Sequence, residues 1–552
     1  MWRWTFVLYV SMTASAHVSR VVQLPQGPVR GYRDPGGDIF TFYGIPYAAA
    51  PTGVNKFKAP LPPPTWQETL EAIDKGIICP QADFAPIVPK EKLMQEDCLI
   101  ANIFQPDTKK NNLPVFIIIH GGGFQIGYGN WLTGENLMRT KDMIVVTFNY
   151  RLGKHGFLCL GTKDIPGNAG MKDQVALLRW VKHNIAAFGG NPSDVTVGGY
   201  SSGGASTDLL VLSKSSRGLF HKAIPESGYG IGAFSVQPNP LEIAKTFAKR
   251  LNFTNTDDIY ALENFYKSAS LELLMMDAVV TEVDNSYFFS PCVENDVDDE
   301  SFLIEDPISI IKSGSYEKVP MLVGFSNMEG LNRIDLFEKW RNGMNKNFAN
   351  YLPPDLIFKD KREKEEVAKV IKQFYFNDRP ISNDNILSYI NYFSDIFFTN
   401  PILLSTKTHL ENVHDQIYLY EYSFTDKNVA LIPHTNVRGA EHCAQSMAVF
   451  DGTGLNQPDE LNITLEYKEI KRTMRELWSN FITTGKPVLE GSPFPSWPAV
   501  RANFTPYMSL GQTLELKSAL LERRVRFWSD IYDKYYHTPV PPPKLRISYD
   551  EL

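Results

Sequence analysis

Continuous apolar runs alternate with helical patterns through the first half of the chain. The runs VFIII at 115–119 and MIVVT at 143–147 are apolar at nearly every position, as expected of central parallel strands that are covered on both faces. A third run, DVTV at 194–197, follows the segment DQVALLRWVKHNIAAF, which has helical periodicity from Asp173 onward. This alternation predicts an α/β fold with a large, mostly parallel central sheet and helices on both faces.

The size and composition of the chain favour one large domain. The 552 residues are 43% hydrophobic and 21% charged, and they contain no internal repeat, low-complexity tract or shift in composition that would mark a linker. We therefore expect one domain over residues 17–538. The formal net charge is −7 with no run of Arg or Lys, which argues against a nucleic-acid partner.

Both ends of the chain carry targeting features. An Arg, an apolar run and Ala-Ser-Ala predict a signal peptide over residues 1–16, cleaved after Ala16. This run is too short to span a bilayer and no later stretch is long and apolar enough, so the sequence predicts no membrane span. Residues 539–552 form a Pro-rich tail ending in YDEL, which differs from the endoplasmic-reticulum retention signal KDEL at its first position. We expect the secretory pathway, with secretion and retention in the lumen of the endoplasmic reticulum both open.

Three Asn-x-Ser/Thr tripeptides fit a secreted protein. They make Asn252, Asn462 and Asn503 candidate glycosylation sites. The tripeptide also arises by chance, so each of the three can remain unmodified.

The cysteine count is odd. With five cysteines, at least one thiol is unpaired or bonds to another chain. Cys79 and Cys98 are close in sequence and flank a Pro-containing loop, which makes a local disulfide plausible. The sequence does not pair Cys159, Cys292 and Cys443, which lie far apart.

A serine motif follows the third apolar run. The pentapeptide GYSSG at 199–203 matches G-x-S-x-G, and the segment ASTDLLVLS after it predicts a helix. Strand, tight turn and helix is the context in which this motif presents a nucleophile above the carboxyl ends of a parallel sheet. The context indicates that Ser201 is a nucleophile, although a glycine–serine loop can match five letters by accident.

A serine nucleophile needs oxyanion donors, and a glycine-rich loop upstream can supply them. The segment HGGGF at 120–124 directly follows the run VFIII. Three consecutive glycines let main-chain N–H groups face a carbonyl oxygen, which is the chemistry of an oxyanion hole.

The acid and the base are less clearly marked by pattern. Glu329 follows the predicted strand VPMLVGF at 319–325, where an acid is expected, but a solvated loop glutamate explains it equally well. His434 and His442 both follow the last predicted strand, QIYLYEYSF at 416–424, and pattern alone does not choose between them.

The chain resembles the type B carboxylesterase and cholinesterase family. The resemblance runs in order through FYGIPYAAAPTG, CPQ, EDCL, HGGGF, NYRLGKHGF, GNAGMKDQ, GGYSSGG, GFSNMEG and GAEH. It implies an α/β-hydrolase fold with Ser201 as nucleophile, Glu329 as the acid and His442 as the base. His434 then has no role in catalysis.

The resemblance also carries over supporting residues. It implies that the N–H groups of Gly122, Gly123 and Ser202 form the oxyanion hole. It further implies that Cys79 and Cys98 form the family's first disulfide, and that Lys56–Glu96 and Arg151–Asp173 are structural ion pairs, the first with Lys where the family usually has Arg.

Three departures from the family pattern bear on the substrate. Tyr200 stands where Glu usually precedes the nucleophile, and Gln445 replaces an acidic residue. The short loop between Cys79 and Cys98 has no Trp to hold a quaternary ammonium group. These differences argue against a choline ester.

Two aromatic residues fall near the family's acyl pocket. Bulky rings at Tyr287 and Phe289 would favour short acyl groups such as acetyl, whereas both rings could equally pack the core.

The sequence therefore predicts a serine carboxylesterase that acts on a small, uncharged and fairly apolar ester without a metal or an organic cofactor. Two alternatives are a protein that sequesters esters or organophosphates with slow turnover, and a non-catalytic adhesion domain of the same family. Nothing in the sequence assigns an oligomeric state.

Overall fold

A computed structural model describes residues 18–82, 88–276, 289–296, 300–452, 463–501 and 505–544. Within these ranges the strands are β1 Ser19–Leu24, β2 Gly27–Arg33, β3 Ile39–Pro46, β4 Leu70–Glu71, β5 Ile77–Ile78, β6 Leu93–Met94, β7 Ile100–Pro106, β8 Leu113–Ile119, β9 Leu132–Thr133, β10 Ile144–Phe148, β11 Gly190–Tyr200, β12 Lys222–Glu226, β13 Met321–Ser326, β14 Ile417–Tyr422, β15 Asp451–Gly452, β16 Pro506–Leu510 and β17 Leu514–Ser518.

The α-helices in the same ranges are α1 Glu135–Thr140, α2 Gly153–Phe157, α3 Ala169–Asn184, α4 Ser202–Leu212, α5 Pro240–Arg250, α6 Ile259–Ser268, α7 Leu271–Met275, α8 Pro307–Ser313, α9 Phe337–Lys346, α10 Lys361–Phe376, α11 Ile386–Ser394, α12 Asn400–Glu411, α13 Ala444–Val449, α14 Leu465–Thr484 and α15 Glu522–Tyr535. A π-helical segment, Asp395–Thr399, joins α11 to α12.

The main sheet has thirteen strands, in the order β1-β2-β3-β7-β10-β8-β11-β12-β13-β14-β16-β17 with β4 beside β2. From β10 to β16 the neighbouring strands run parallel, and the pairs at both edges are antiparallel except β2–β4, which is parallel. The sheet is therefore mostly parallel, as the sequence predicts.

Alternate residues of β8 enter two separate hydrophobic clusters, which shows that both faces of the sheet are covered. Val115, Ile117 and Ile119 belong to the cluster that includes apolar residues of α3 and α4. Phe116 and Ile118 belong to the cluster that includes apolar residues of α1 and α14. Every residue of VFIII is at most 2% exposed, because it meets a helix layer on one side or the other.

The disulfides account for four of the five cysteines. Cys79 and Cys98 are bonded, as predicted. Cys159 and Cys292, which the sequence left unassigned, form a second disulfide across 133 residues. Cys443 is the free cysteine and is buried.

Of the two predicted ion pairs, one is confirmed and one is wrong. Arg151 donates to both oxygens of Asp173, at 2.6 and 2.8 Å, and both side chains are buried. Lys56 makes no ion pair with Glu96 among the described contacts. Its ammonium instead donates to the main-chain oxygens of Lys267 and Ala269 at 3.0 and 2.9 Å.

Several predicted features lie outside the described residues: the signal segment 1–16, Tyr287, Asn462, Asn503 and the terminal YDEL. Asn252 is exposed in a turn, with φ 62°. Among the helices of the described ranges, none has the length and apolar character needed to cross a membrane.

Candidate active site

Ser201 occupies a sharp turn between β11 and α4. Its φ and ψ are 57° and −126°, a combination that costs a non-glycine residue energy and persists only where the surroundings impose it. The Ser201 N–H donates to the main-chain oxygen of Glu226 at 2.8 Å, and its carbonyl accepts from the Ala205 N–H at 3.0 Å. The turn is thus fixed by main-chain bonds to β12 and α4.

The two glycines of the motif are sterically required. A Cβ on Gly199 would lie 2.4 Å from the oxygen of Gly203, and one on Gly203 would lie 2.2 Å from the oxygen of Ile119. Both distances are far below any real Cβ contact, so the main chains of β8, β11 and α4 approach closely only because side chains are absent. The G-x-S-x-G spacing therefore reflects this turn and is not an accidental match. We call Gly199–Gly203 the nucleophile turn.

A glycine loop lies beside the nucleophile turn, directly after β8. We call residues 120–124 the oxyanion loop. Gly122 and Gly123 have φ of 109° and 62°, and a Cβ on Gly122 would lie 2.0 Å from the oxygen of Ile126. Within the described part of the chain, the N–H groups of Gly122 and Gly123 donate to no protein acceptor. The Ser202 N–H, in the first turn of α4, has no intrahelical acceptor either.

His120, at the start of the oxyanion loop, holds the loop by its ring. Its Nδ1 lies 2.8 Å from the Gly121 oxygen, and the ring stacks on Tyr150 at 4.4 Å between centroids. Burial lowers the pKa of His120 to about 4, so the ring is neutral at physiological pH and adds no charge next to the site.

His442 joins the nucleophile to an acid. Its Nε2 lies 2.9 Å from Ser201 Oγ, and its Nδ1 lies 2.5 Å from Glu329 Oε2. The ring of Phe398 stacks on the imidazole, 4.2 Å between centroids, and restricts its rotation. His434 is exposed and makes no such contacts.

Glu329 is buried and follows β13, as the sequence predicts. Its second oxygen, Oε1, accepts from the Ser326 N–H at 2.8 Å and from Ser227 Oγ at 2.5 Å. Gln445 completes the arrangement, because its amide donates to Ser227 Oγ and accepts from Ser326 Oγ at 2.6 Å. Gln445, which departs from the family pattern, is thus an uncharged residue that holds Ser227 and Ser326 beside the acid.

Sequence reasoning missed Ser227, Ser326 and Phe398. Ser227 and Ser326 follow or end short buried strands, and no motif marks them. Phe398 lies in the π-helical segment, whose wider turn is not visible in an apolar pattern.

Burial also affects the free cysteine next to the base. Burial, with a further contribution from the negative charge of Glu329, raises the pKa of the Cys443 thiol well above its ordinary value. The thiol is therefore protonated and a weak nucleophile.

A cavity of about 990 Å³ opens over Ser201, His442 and the two glycines of the oxyanion loop. Its lining is rich in aromatic and aliphatic side chains, among them Trp131, Phe234, Phe398, Tyr422, Phe424 and Leu431. A cavity of this size and character can hold a predominantly apolar molecule of drug size.

Tyr200 and Phe289 occupy different surroundings. Tyr200 forms part of the cavity wall, where burial raises its pKa well above the ordinary value. Phe289 is 1% exposed, packs edge to face on Phe247 at 5.5 Å and is not part of the cavity lining.

Comparison with known proteins gives a consistent result. The sequence profile of the "Carboxylesterase family" matches residues 18–528. The chain is 33% identical to juvenile hormone esterase of Heliothis virescens over 507 residues, covering 87% of this chain and 88% of that one. It is 29% identical to carboxylesterase 3B of Mus musculus, covering 96% and 93%.

A solved structure is also similar. The crystal structure of juvenile hormone esterase from Manduca sexta, with OTFP covalently attached, matches with a TM-score of 0.83 and 29% identity, covering 94% of this chain and all of that one.

Proposed function

The chain belongs to the carboxylesterase family and is a carboxylic ester hydrolase, and from that premise we propose that it works as a serine esterase through an acyl-enzyme on Ser201. One observation carries the proposal: a single imidazole, His442, lies 2.9 Å from Ser201 Oγ and 2.5 Å from Glu329. A nucleophile, a base and an orienting carboxylate within hydrogen-bond reach of one another is the arrangement that activates a serine hydroxyl.

In the acylation step, Ser201 Oγ attacks the ester carbonyl carbon while His442 Nε2 takes its proton. Glu329 accepts the Nδ1–H of His442, which keeps Nε2 free as the base and stabilises the imidazolium that forms. The oxyanion accepts from the N–H groups of Gly122, Gly123 and Ser202, for which the described part of the chain offers no hydrogen-bonded acceptor. The imidazolium then protonates the leaving alcohol.

Deacylation repeats these roles with water. His442 takes a proton from a water molecule, whose oxygen attacks the acyl carbon, and the collapse of the second oxyanion returns the proton to Ser201 Oγ. No step requires a metal or an organic cofactor.

We propose an uncharged, largely apolar ester as substrate. The apolar majority of the cavity lining supports this, although the lining also contains charged residues of both signs, Arg333, Asp335, Asp426 and Glu441. The replacement of Glu by Tyr200 removes an anionic partner for a cationic ester directly beside Ser201. A preference for short acyl groups stays a prediction, because Tyr287 lies outside the described residues and Phe289 packs on Phe247.

The secretory pathway is likewise proposed for this protein. The two disulfides support it, since disulfides persist in oxidising compartments. Cleavage after Ala16, glycosylation at Asn252, Asn462 and Asn503, and a role for YDEL remain predictions of the sequence.

The experiment is hydrolysis of p-nitrophenyl acetate and p-nitrophenyl butyrate by the wild type and by Ser201→Ala. Steady-state turnover should fall by roughly 10⁶-fold in Ser201→Ala. Ser206→Ala is the matched control, because it makes the same change on α4 away from the cavity. The ratio of the two esters tests the acyl preference.

Each other outcome points to an alternative. A burst of p-nitrophenol without steady-state turnover would favour the sequestering protein. No reaction of the wild type with either ester would favour the adhesion domain.

A further inference from the structure

Glu226, the last residue of β12, has a buried carboxyl that takes no part in the proposed steps. Its Oε1 is hydrogen-bonded to the hydroxyl of Tyr420, and its Oε2 accepts from Ser446 Oγ at 3.0 Å. Its main-chain oxygen accepts the N–H of Ser201 at 2.8 Å. One residue therefore contacts the nucleophile turn, β14 and α13.

Helix α13 is the element that follows the base. It begins at Ala444, two residues after His442, and its first turn carries Gln445 and Ser446. Gln445 is bonded to Ser227, and Ser446 to Glu226, so the last residue of β12 and the residue after it hold the first turn of α13. A shift of this turn would carry His442 with it and lengthen its hydrogen bond to Ser201.

The surroundings of the Glu226 carboxyl favour its neutral form. The titratable groups that face it are Tyr420 from β14, Glu329 from the turn after β13, and Cys443 from the turn before α13. None of these is a cation, and Glu226 makes no ion pair within the described ranges. A second carboxylate beside Glu329, without a cation, is costly to bury.

Burial raises the pKa of Glu226 to about 8, with a further contribution from the negative charge of Glu329. The hydrogen bonds from Tyr420 and Ser446 act in the opposite direction. At neutral pH the carboxyl therefore retains its proton.

We propose that Glu226 is a positioning residue for His442: its carboxyl, bonded to Ser446, and its main-chain oxygen, bonded to Ser201, fasten α13 to the nucleophile turn. This inference rests on the proposed roles of Ser201, Glu329 and His442.

The positioning role is tested by removing and then restoring the contact. Glu226→Ala should lower kcat by about 10- to 100-fold with KM within twofold, because it displaces the base and leaves the cavity intact. Glu226→Gln keeps the shape and the hydrogen bonds and should recover kcat to within about threefold. An unchanged kcat in Glu226→Ala, or no recovery in Glu226→Gln, would overturn the role.

A double-mutant cycle tests whether Glu226 acts on His442 through its hydrogen bond to Ser446 on α13. Ser446→Ala should lower kcat like Glu226→Ala, and the double variant should be no worse than either single one, since both remove one contact. Tyr420→Phe is the matched control, because it removes the other hydroxyl and leaves the helix contact in place. Additive losses in the double variant would overturn the route through α13.

The pH dependence tests the neutral acid. Ionisation sets the carboxylate against Glu329, so kcat of the wild type should fall with an inflection near pH 8 at constant KM, and Glu226→Gln should lack that inflection. Identical pH profiles of kcat in the wild type and in Glu226→Gln would show that ionisation of Glu226 has no effect on the reaction.

The pH dependence of stability is an independent test of whether the Glu226 carboxyl is protonated in the folded enzyme. The folded enzyme keeps a proton that the unfolded chain releases above pH 4.5, the ordinary pKa of this carboxyl. The stability of the wild type relative to Glu226→Gln should therefore be greatest below pH 4.5, fall up to about pH 8 and stay constant above that. If the difference in Tm between the wild type and Glu226→Gln is the same at pH 5 and at pH 8, the Glu226 carboxyl is not a neutral acid in the folded enzyme.

Failure of this inference is distinct from failure of the proposed function. An active Ser201→Ala would reject the proposed function itself. An inactive Ser201→Ala, together with Glu226 variants that behave like the wild type, would reject only the role of Glu226.

Discussion

The nucleophile turn and the acid–base pair, Glu329 and His442, meet where Ser201 Oγ lies 2.9 Å from His442 Nε2, but different interactions hold them in place. The nucleophile turn and the oxyanion loop are fixed by main chain: a positive φ at Ser201, and glycines whose Cβ atoms would overlap neighbouring carbonyls. The acid–base pair is fixed mainly by side chains from three other segments, those of Ser227, Gln445 and Phe398, together with one main-chain donor, the N–H of Ser326.

The difference determines what each half tolerates. A Cβ that overlaps a carbonyl oxygen can be relieved only by moving the strand that carries the oxygen, because the oxygen is part of the main chain. Substitution of such a glycine therefore has a large effect on the position of the turn. A side-chain bond can be lost singly, and each loss has a graded cost. Consistent with this, the glycines of the nucleophile half follow the family pattern, and the two departures near the site, Tyr200 and Gln445, are changes of side chain that leave the main chain in place.

Among the variants that compare the surroundings of the two halves, the largest effect is expected at the acid. Glu329→Gln keeps the shape of the side chain but removes the charge that orients His442 and stabilises the imidazolium, so kcat should fall by about 10³- to 10⁴-fold. Glu338→Gln, at an exposed position on α9, is the matched control. Steady-state kinetics on p-nitrophenyl acetate measure both, and a loss below tenfold in Glu329→Gln would contradict the assigned role.

A smaller but still large effect is expected in the nucleophile turn. Gly203→Ala places a Cβ 2.2 Å from the Ile119 oxygen, which should displace Ser201 and lower kcat by about 10²-fold per folded enzyme. The control is Gly134→Ala before α1, where φ is −128° and the new Cβ meets its nearest neighbour at 3.4 Å.

Near-UV circular dichroism gives the folded fraction of both glycine variants. If Gly203→Ala folds and retains the activity of Gly134→Ala, the steric account of the motif is wrong.

The same comparison explains what the sequence could predict. The nucleophile turn and the oxyanion loop are local: glycines, an apolar run before them and a helix after one of them all lie within about twenty residues of chain. The strands VFIII and DVTV, which support these two turns, lie within β8 and β11 as predicted.

The acid–base half depends on contacts between distant segments. Ser227 and Glu329 are 102 residues apart, and pattern gave no reason to join them. The choice between His434 and His442 came from the family resemblance, because both follow β14. The Lys56–Glu96 pair shows the limit of such transfer, since a Lys in place of Arg found two carbonyl oxygens instead.

The smallest of the expected effects comes from comparing a main-chain donor with a side-chain donor to the same oxygen of Glu329. Glu329 Oε1 has two donors, the N–H of Ser326 and the hydroxyl of Ser227. Ser227→Ala removes the hydroxyl at an unchanged positive φ, and a hydrogen bond to a charged group contributes about 1.5–3 kcal/mol, so kcat should fall by at least about tenfold with KM unchanged. Ser326→Ala keeps its main-chain N–H on Glu329 and loses only the bond to Gln445, so its loss should be about threefold or less. Steady-state kinetics on both variants decide the matter: a greater loss in Ser326→Ala than in Ser227→Ala would mean that Gln445, and not the direct hydroxyl bond, orients the acid.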